Sequence, residues 1–321
     1  MRSRLIAASL AVCAAGCNGV PAPALAPAVP AAAARPHAAQ KLYVASRGNG
    51  SVLVFSTTAS GNAAPVQAIR GSATTLTDPE ALAVDSSGHI FTENGNFGQP
   101  IDVFSATAKG NVKPLFTIGG SKSKLDAAAG FAFDSSGVLY AAQDGNGLLT
   151  EYAAGAKGNV APIRTLQGSS TYMSYSPYDA ALDSARNLYV ALVSCCVAKF
   201  KPGANGNVKP ALLAGGATAL QHPNAVALMT NGSLVVADEA GYVLVFKPGA
   251  TGDAPYYHRI SGSFTSPSGL ALDAANNIYV SDALKNEIFV FASTANGSAT
   301  PIRTIAGAKT LLSGPANLAI R

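Results

Sequence analysis

The sequence predicts an all-β ring of six blades, each a four-stranded sheet, closed by pairing of the N- and C-terminal strands. Three observations carry that prediction. From Lys41 onward the chain repeats in six units that begin at Lys41, Ile90, Leu139, Leu188, Leu234 and Ile278 and run 49, 49, 49, 46, 44 and 44 residues. Each unit holds four short apolar runs separated by turn residues, the pattern of a β-propeller blade. The composition, 12% charged with 32 Gly and no Trp, suits strands and tight turns better than helices rich in Glu, Lys and Leu.

Residues 1–16 read as a signal peptide. Arg2 and Arg4 give a positive start, and the apolar run that follows is too short to span a bilayer. The stretch Ala14-Ala15-Gly16-Cys17 resembles the lipobox of bacterial lipoproteins, with Ala14 where that family usually carries Leu. The resemblance implies acylation at Cys17 and a cell-envelope, membrane-anchored protein. Asn18, in place of the Asp that marks inner-membrane retention, favours the outer membrane where a cell has one. The alternative is ordinary cleavage near the later Ala-rich run and a released product. Residues 17–40 are rich in Pro and Ala with nothing bulky to bury, and read as an extended tether.

Within residues 41–321 every unit opens on an apolar run: LYVAS, IFTEN, LYAAQ, LYVAL, LVVAD, IYVSD. A second strand follows, such as SVLVF or EIFVF, then a turn carrying Gly and Asn, then a third strand such as PIRTLQG or PIRTIAG. The unit closes on runs such as ALAVD or LALD. A closing run with the next opening one, as in PSGLALDAANNIYVSD, resembles the NHL repeat across essentially all of residues 41–321. That resemblance implies a six-bladed propeller and no particular activity, because such folds host unrelated functions. The copies start on a blade's second strand and end on an innermost one, so residues 317–320 are expected to pair with 42–46, leaving no edge at the join. Small residues alternate on the innermost strands (Ala81 and Ala83, Gly130 and Ala132, Gly269 and Ala271), as convergence on an axis demands.

Several recurrent polar residues belong to turns. Asp85, Asp134, Asp183 and Asp273 sit where Asp accepts backbone N–H groups. The Gly-Asn turns and the sequons at Asn49, Asn231 and Asn296 read as hairpin chemistry, and Arg164 and Arg303 as solvated outer-strand residues. Loss of Arg2 and Arg4 with the signal takes the formal charge from +5 to +3, and no basic run or basic-aromatic cluster appears, which argues against nucleic acid.

No HExxH, GxSxG, phosphate loop or haem motif is present. Streptogramin lyases share a propeller of this sort and rely on His near the channel, where only His222 could fall. Candidate ligand contacts gather at the channel mouth: Glu80, Tyr178, Asp179, Cys195, Cys196, Asn224, Asp238 and Asp282. Glu80, Asp179 and Asn224 occupy nearly equivalent places in three units, and their oxygens suit a hard cation such as Ca²⁺; gluconolactonase-type propellers use a comparable oxygen set. The adjacent Cys195 and Cys196 are open to three states: a bond to each other, free thiols, or pairing between molecules. The leading expectation is a monomeric, non-catalytic binding or scaffolding module that meets a peptide, glycan or envelope protein through its top face. The alternative is a metal-dependent hydrolase or lyase. Substituting Cys17→Ser is expected to abolish incorporation of radiolabelled lipid; absence of label from the parent chain would remove the anchor.

Overall fold

The computed structural model describes residues 40–321; the expected signal peptide (1–16), the expected acylation site Cys17 and nearly all of the segment read as a tether (17–40) lie outside the described residues. The first blade holds β1 (Lys41–Ser46), β2 (Ser51–Ser56) and β3 (Gln67–Arg70). The second runs through β4 (Pro79–Val84), β5 (Ile90–Asn94), β6 (Ile101–Phe104) and β7 (Phe116–Ile118). The third comprises β8 (Ala128–Phe133), β9 (Leu139–Gln143), β10 (Leu148–Tyr152) and β11 (Arg164–Leu166). The fourth comprises β12 (Pro177–Leu182), β13 (Leu188–Leu192), β14 (Cys196–Phe200) and β15 (Ala211–Leu213). The fifth comprises β16 (Pro223–Leu228), β17 (Leu234–Asp238), β18 (Tyr242–Phe246) and β19 (His258–Ser261). The sixth comprises β20 (Pro267–Leu272), β21 (Ile278–Asp282), β22 (Glu287–Phe291) and β23 (Arg303–Ile305). The last strand, β24 (Pro315–Ile320), returns to the first blade as its innermost strand.

All six sheets are antiparallel and four-stranded, so the protein is a six-bladed β-propeller. Closure follows the expected register, with Leu42 opposite Ile320, Tyr43 opposite Ala319 and Val44 opposite Leu318. Lys41 N donates to Arg321 O at 2.7 Å, and Arg321 N returns a bond to Lys41 O at 3.0 Å. Among the described residues no helix is long and apolar enough to cross a membrane.

The apolar residues form one wedge at each junction between blades instead of a single central core. Phe91, Val103 and Ala81 meet Phe131, Leu139 and Tyr152 between the second and third blades; Val235, Val243 and Ile260 meet Val280, Phe289 and Phe291 between the fifth and sixth. Alternation along each strand makes this possible, because its two faces serve two different junctions. Near the axis the backbones close up. A Cβ on Gly130 would lie 2.6 Å from Asp179 Cα and Tyr178 O, so only glycine fits there.

At the rim, the Gly-Asn turns do more than reverse the chain. Each such glycine forms a parallel bridge to the outermost strand of the preceding blade, as Gly110 does with Ile69 and Gly158 with Ile118. The neighbouring side chain then caps a backbone N–H in that blade: Asn111 accepts from Ala73 at 2.7 Å, Asn159 from Lys122 at 2.8 Å and Asn207 from Ser170 at 2.8 Å. Asp253 and Asn62 repeat the contact to Ala217 and Lys309, both at 2.7 Å. Gly120, at φ +114°, leaves room for this clasp, since a Cβ would meet the Asn159 carboxamide at 2.8 Å.

Arg164 and Arg303 are not simply solvated. Arg164 Nε donates to Glu151 at 2.7 Å, and Arg303 donates to Thr57 O at 3.0 Å and Tyr279 Oη at 2.9 Å. The four turn aspartates do accept N–H groups as expected; Asp85 Oδ1, for example, takes Ser87 N and His89 N, each at 2.8 Å.

Deleting residues 315–321 is expected to lower the melting temperature of the whole ring in one cooperative step, because it strips the first blade of its inner strand and exposes an edge beside it. A calorimetric transition unchanged by the truncation would refute that dependence.

Candidate functional site: the channel mouth

The geometry of the site begins with a backbone irregularity repeated six times. Each innermost strand carries one extra residue against its partner, as where Pro79 faces Asn94 and Ala81 faces Glu93, leaving Glu80 unpaired. The same bulge falls at Ala129, Tyr178, Asn224 and Ser268, and in β24 between Pro315 and Leu318. A bulge re-aims the side chain it carries. Glu80, Ala129, Tyr178, Asn224, Ser268 and Ala316 accordingly line one cavity of about 110 Å³ at the end of the channel, with Arg47, Glu239, Ser266, Ala283 and Asn317.

This register corrects one equivalence drawn from sequence. Glu80, Tyr178 and Asn224 are the matching residues, whereas Asp179 stands one place further along, with Ala81 and Ala225. One residue in a strand exchanges faces. Asp179 is therefore buried below the cavity, where Val226 N donates to Oδ2 at 3.0 Å and Asn317 Nδ2 approaches Oδ1 at 3.4 Å. β12 and β24 lie on opposite sides of the ring, so the Asp179–Asn317 contact spans the axis. Burial pushes the Asp179 carboxyl up to about 7, against the opposing pull of these hydrogen bonds.

Above it, Arg47 from the loop after β1 binds Asp78 through two nitrogens at 3.0 and 3.2 Å and Glu80 at 3.1 Å. The Tyr178 hydroxyl donates to the same Glu80 oxygen. Burial raises the Glu80 carboxyl, while Tyr178 and Arg47 act the other way. Asn224 is 2% exposed. Its Nδ2 donates to Pro267 O at 2.8 Å and lies 3.4 Å from Glu239 Oε1, while its Oδ1 has no partner.

The Ca²⁺ set does not fit this arrangement. Glu80 already carries a guanidinium, Asp179 points elsewhere, and Asn224 retains only a neutral oxygen. Among the described residues no group of three or more His, Cys, Asp and Glu side chains is placed to hold a metal ion.

Asp238 and Asp282 are also reassigned. Asp238 accepts Gln221 N at 2.8 Å and His222 N at 3.1 Å; Asp282 accepts Thr265 N at 2.6 Å and Lys285 N at 3.0 Å. Both are fully buried and hold the loop that enters the innermost strand. Asn94, Gln143 and Ser46 do the same in other blades, taking Thr77 N, Asp126 N and Ser313 N.

In the fourth blade the corresponding residue is Leu192, which has no side-chain acceptor. There the loop is held by Val193 N to Ser176 O at 3.1 Å and by packing of Met173 against Leu192 and Cys196. Cys195, in the tight turn after β13, is bonded to Cys196, the first residue of β14. They brace this turn and do not line the cavity, nor does His222, which is exposed.

Sequence reasoning missed Arg47 and Glu93. Glu93 sits where the other blades carry Ala142, Ala191, Ala237 or Ser281, so its size alone could have marked it. It is fully buried; Ala128 N of the next blade donates to Oε2 at 2.5 Å and Oε1 has no partner.

No protein-family model and no curated protein matches the sequence. Solved structures do resemble it. One is a chain of the nidogen/laminin complex, at 14% identity and a TM-score of 0.63 over 88% of this chain and 98% of that one. A protein of unknown function from Bacteroides caccae matches at 11% identity and 0.63, over 88% and 99%. The WD40 propeller domain of Doa1 matches at 13% and 0.55, over 78% and 74%. These likenesses concern the fold alone.

Burial pushes the Glu93 carboxyl up to about 9. A folded-state value above the unfolded one means that stability is full at low pH and is lost as pH rises toward 9. Glu93→Gln keeps the acceptor for Ala128 N and removes this loss. The variant and parent are expected to melt alike near pH 4, with the variant more stable by a few kcal/mol at pH 8, since each unit is about 1.4 kcal/mol. Parallel melting curves from pH 4 to 9 would contradict the assignment.

Proposed function

We propose that this chain is an exported, lipid-anchored, NHL-like propeller that acts as a monomeric, non-catalytic binding or scaffolding module. Its contact surface is the channel mouth, and its partner a peptide, glycan or envelope protein. The observation that supports this reading is a contrast in how polar groups are used. At the rim and in the turns, repeated Asn and Asp side chains are consumed by backbone N–H groups of the ring itself. At the mouth, one bulge per blade presents a set that varies around the ring, Glu80, Ala129, Tyr178, Asn224, Ser268 and Ala316, and the Asn224 side-chain oxygen meets no backbone group. Structural demands are alike in six blades, so an asymmetric set at one end is suited to a single asymmetric partner. The residues before position 40 supply the proposed address, with Cys17 acylated and an outer-membrane location where the cell has one.

The proposal is tested by capture from cell-envelope extracts. Glu80→Ala, Asn224→Ala and Glu239→Gln are expected to weaken retention of the bound partner, while Lys201→Ala, exposed in the turn after β14, leaves it unchanged, each variant first being shown to melt like the parent. Loss of capture by the Lys201 change alone would show that function had been assigned to the wrong surface.

A further inference from the structure

Asn224 Oδ1 is the mouth's one buried acceptor without a donor among the described residues. The carboxamide orientation is fixed by chemistry: Pro267 O can only accept, so the nitrogen must face it at 2.8 Å and the oxygen is left over. An unmet buried acceptor carries a desolvation penalty of about 1–3 kcal/mol, which a bound donor would relieve. Beside it stands Glu239, exposed at the rim, whose carboxylate forms no ion pair among the described residues. The cavity between them, about 110 Å³, is large enough for a small head group.

The sign of charge follows from the same neighbours. Arg47 is the cation lining this cavity, and Asp78 holds it through two bonds before Glu80 adds a third. That leaves Glu239 uncompensated, with Glu80 sharing what remains of the guanidinium. The pocket thus offers acceptors and an excess of negative charge.

Building on the mouth as the binding face, we infer that the pocket receives a single primary ammonium group, donating to Asn224 Oδ1 and paired with Glu239. Three N–H donors on a compact cation satisfy a carboxamide oxygen and a carboxylate together, which a hydroxyl with one donor cannot do. The group could be carried by a lysine-bearing peptide or by an amino sugar, and both present the same chemistry to these residues.

Calorimetric titration of the purified full-length chain separates these sources. The probes are a terminally blocked lysine peptide, the same peptide with its side-chain amine acetylated, glucosamine and N-acetylglucosamine. Binding is expected from one or both free amines, with acetylation weakening it by about tenfold or more. Asn224→Ala and Glu239→Gln are expected to weaken the free amines to a similar degree and to leave the acetylated probes alone. Glu239 is exposed, so its variant remains informative even if Asn224→Ala fails to fold. The inference is overturned if no free amine binds, if acetylated and free probes bind alike, or if calcium chloride alone gives a response lost in the same variants. Should that happen while Glu80→Ala still abolishes capture from envelope extracts, the mouth survives as the binding face and only the ammonium assignment falls. If no mouth variant affects capture, both readings fall together.

Discussion

The structure depends on six strands being brought to one axis. Their backbones approach so closely that Gly130 has no space for a Cβ against the neighbouring strand. The innermost strands lie side by side without pairing, and side chains must answer some of their free backbone groups. Glu93 meets Ala128 N, Asp179 meets Val226 N, and Ser281 Oγ donates to Ala316 O. Buried backbone polar groups are rarely left unmet, and here carboxyl groups are drawn into the centre of an apolar ring to meet them. The raised values of Glu93 and Asp179 are the electrostatic cost of that arrangement.

The same convergence shapes the mouth. An extra residue at the head of every innermost strand throws one side chain per blade out of the sheet, and six such side chains share the cavity wall. Cavity-facing and framework residues are thereby separated by only a few positions. Glu80 faces the cavity, Ala81 packs between strands, and Glu93 opposite it reaches to the next blade. A propeller can exchange the first of these freely, whereas the others are bound by the spacing of the blades.

The architecture was largely legible in the sequence because a repeat reports its own period, and because a chain that begins on a second strand and ends on a first must close on itself. The clasp role of the Gly-Asn turns was not, since a turn and an inter-blade cap call for the same residues. The mouth was legible only in part. Glu80, Tyr178 and Asn224 were recognised, but Asp179 was set beside them by a shift of one residue. Prolines 79, 177, 223 and 267, each directly before the bulge, would have fixed that register. Arg47 was missed because it reaches the site from a loop whose length and composition say nothing of its direction. Asp238 and Asp282 looked like ligands because an acidic residue at a strand end has the same appearance whether it faces solvent or its own loop.

The way the chain enters the ring has a consequence for presentation. β1 runs from Lys41, beside Arg321, to Ser46, beside Pro315, and Arg47 follows directly in the mouth cavity. Residue 40 therefore meets the ring on the face opposite the mouth, about 20 Å away at the rise of a six-residue strand. The chain thus enters the ring at the end that carries the Asp85 and Asp273 turns, and the six bulged side chains gather at the other end of the channel.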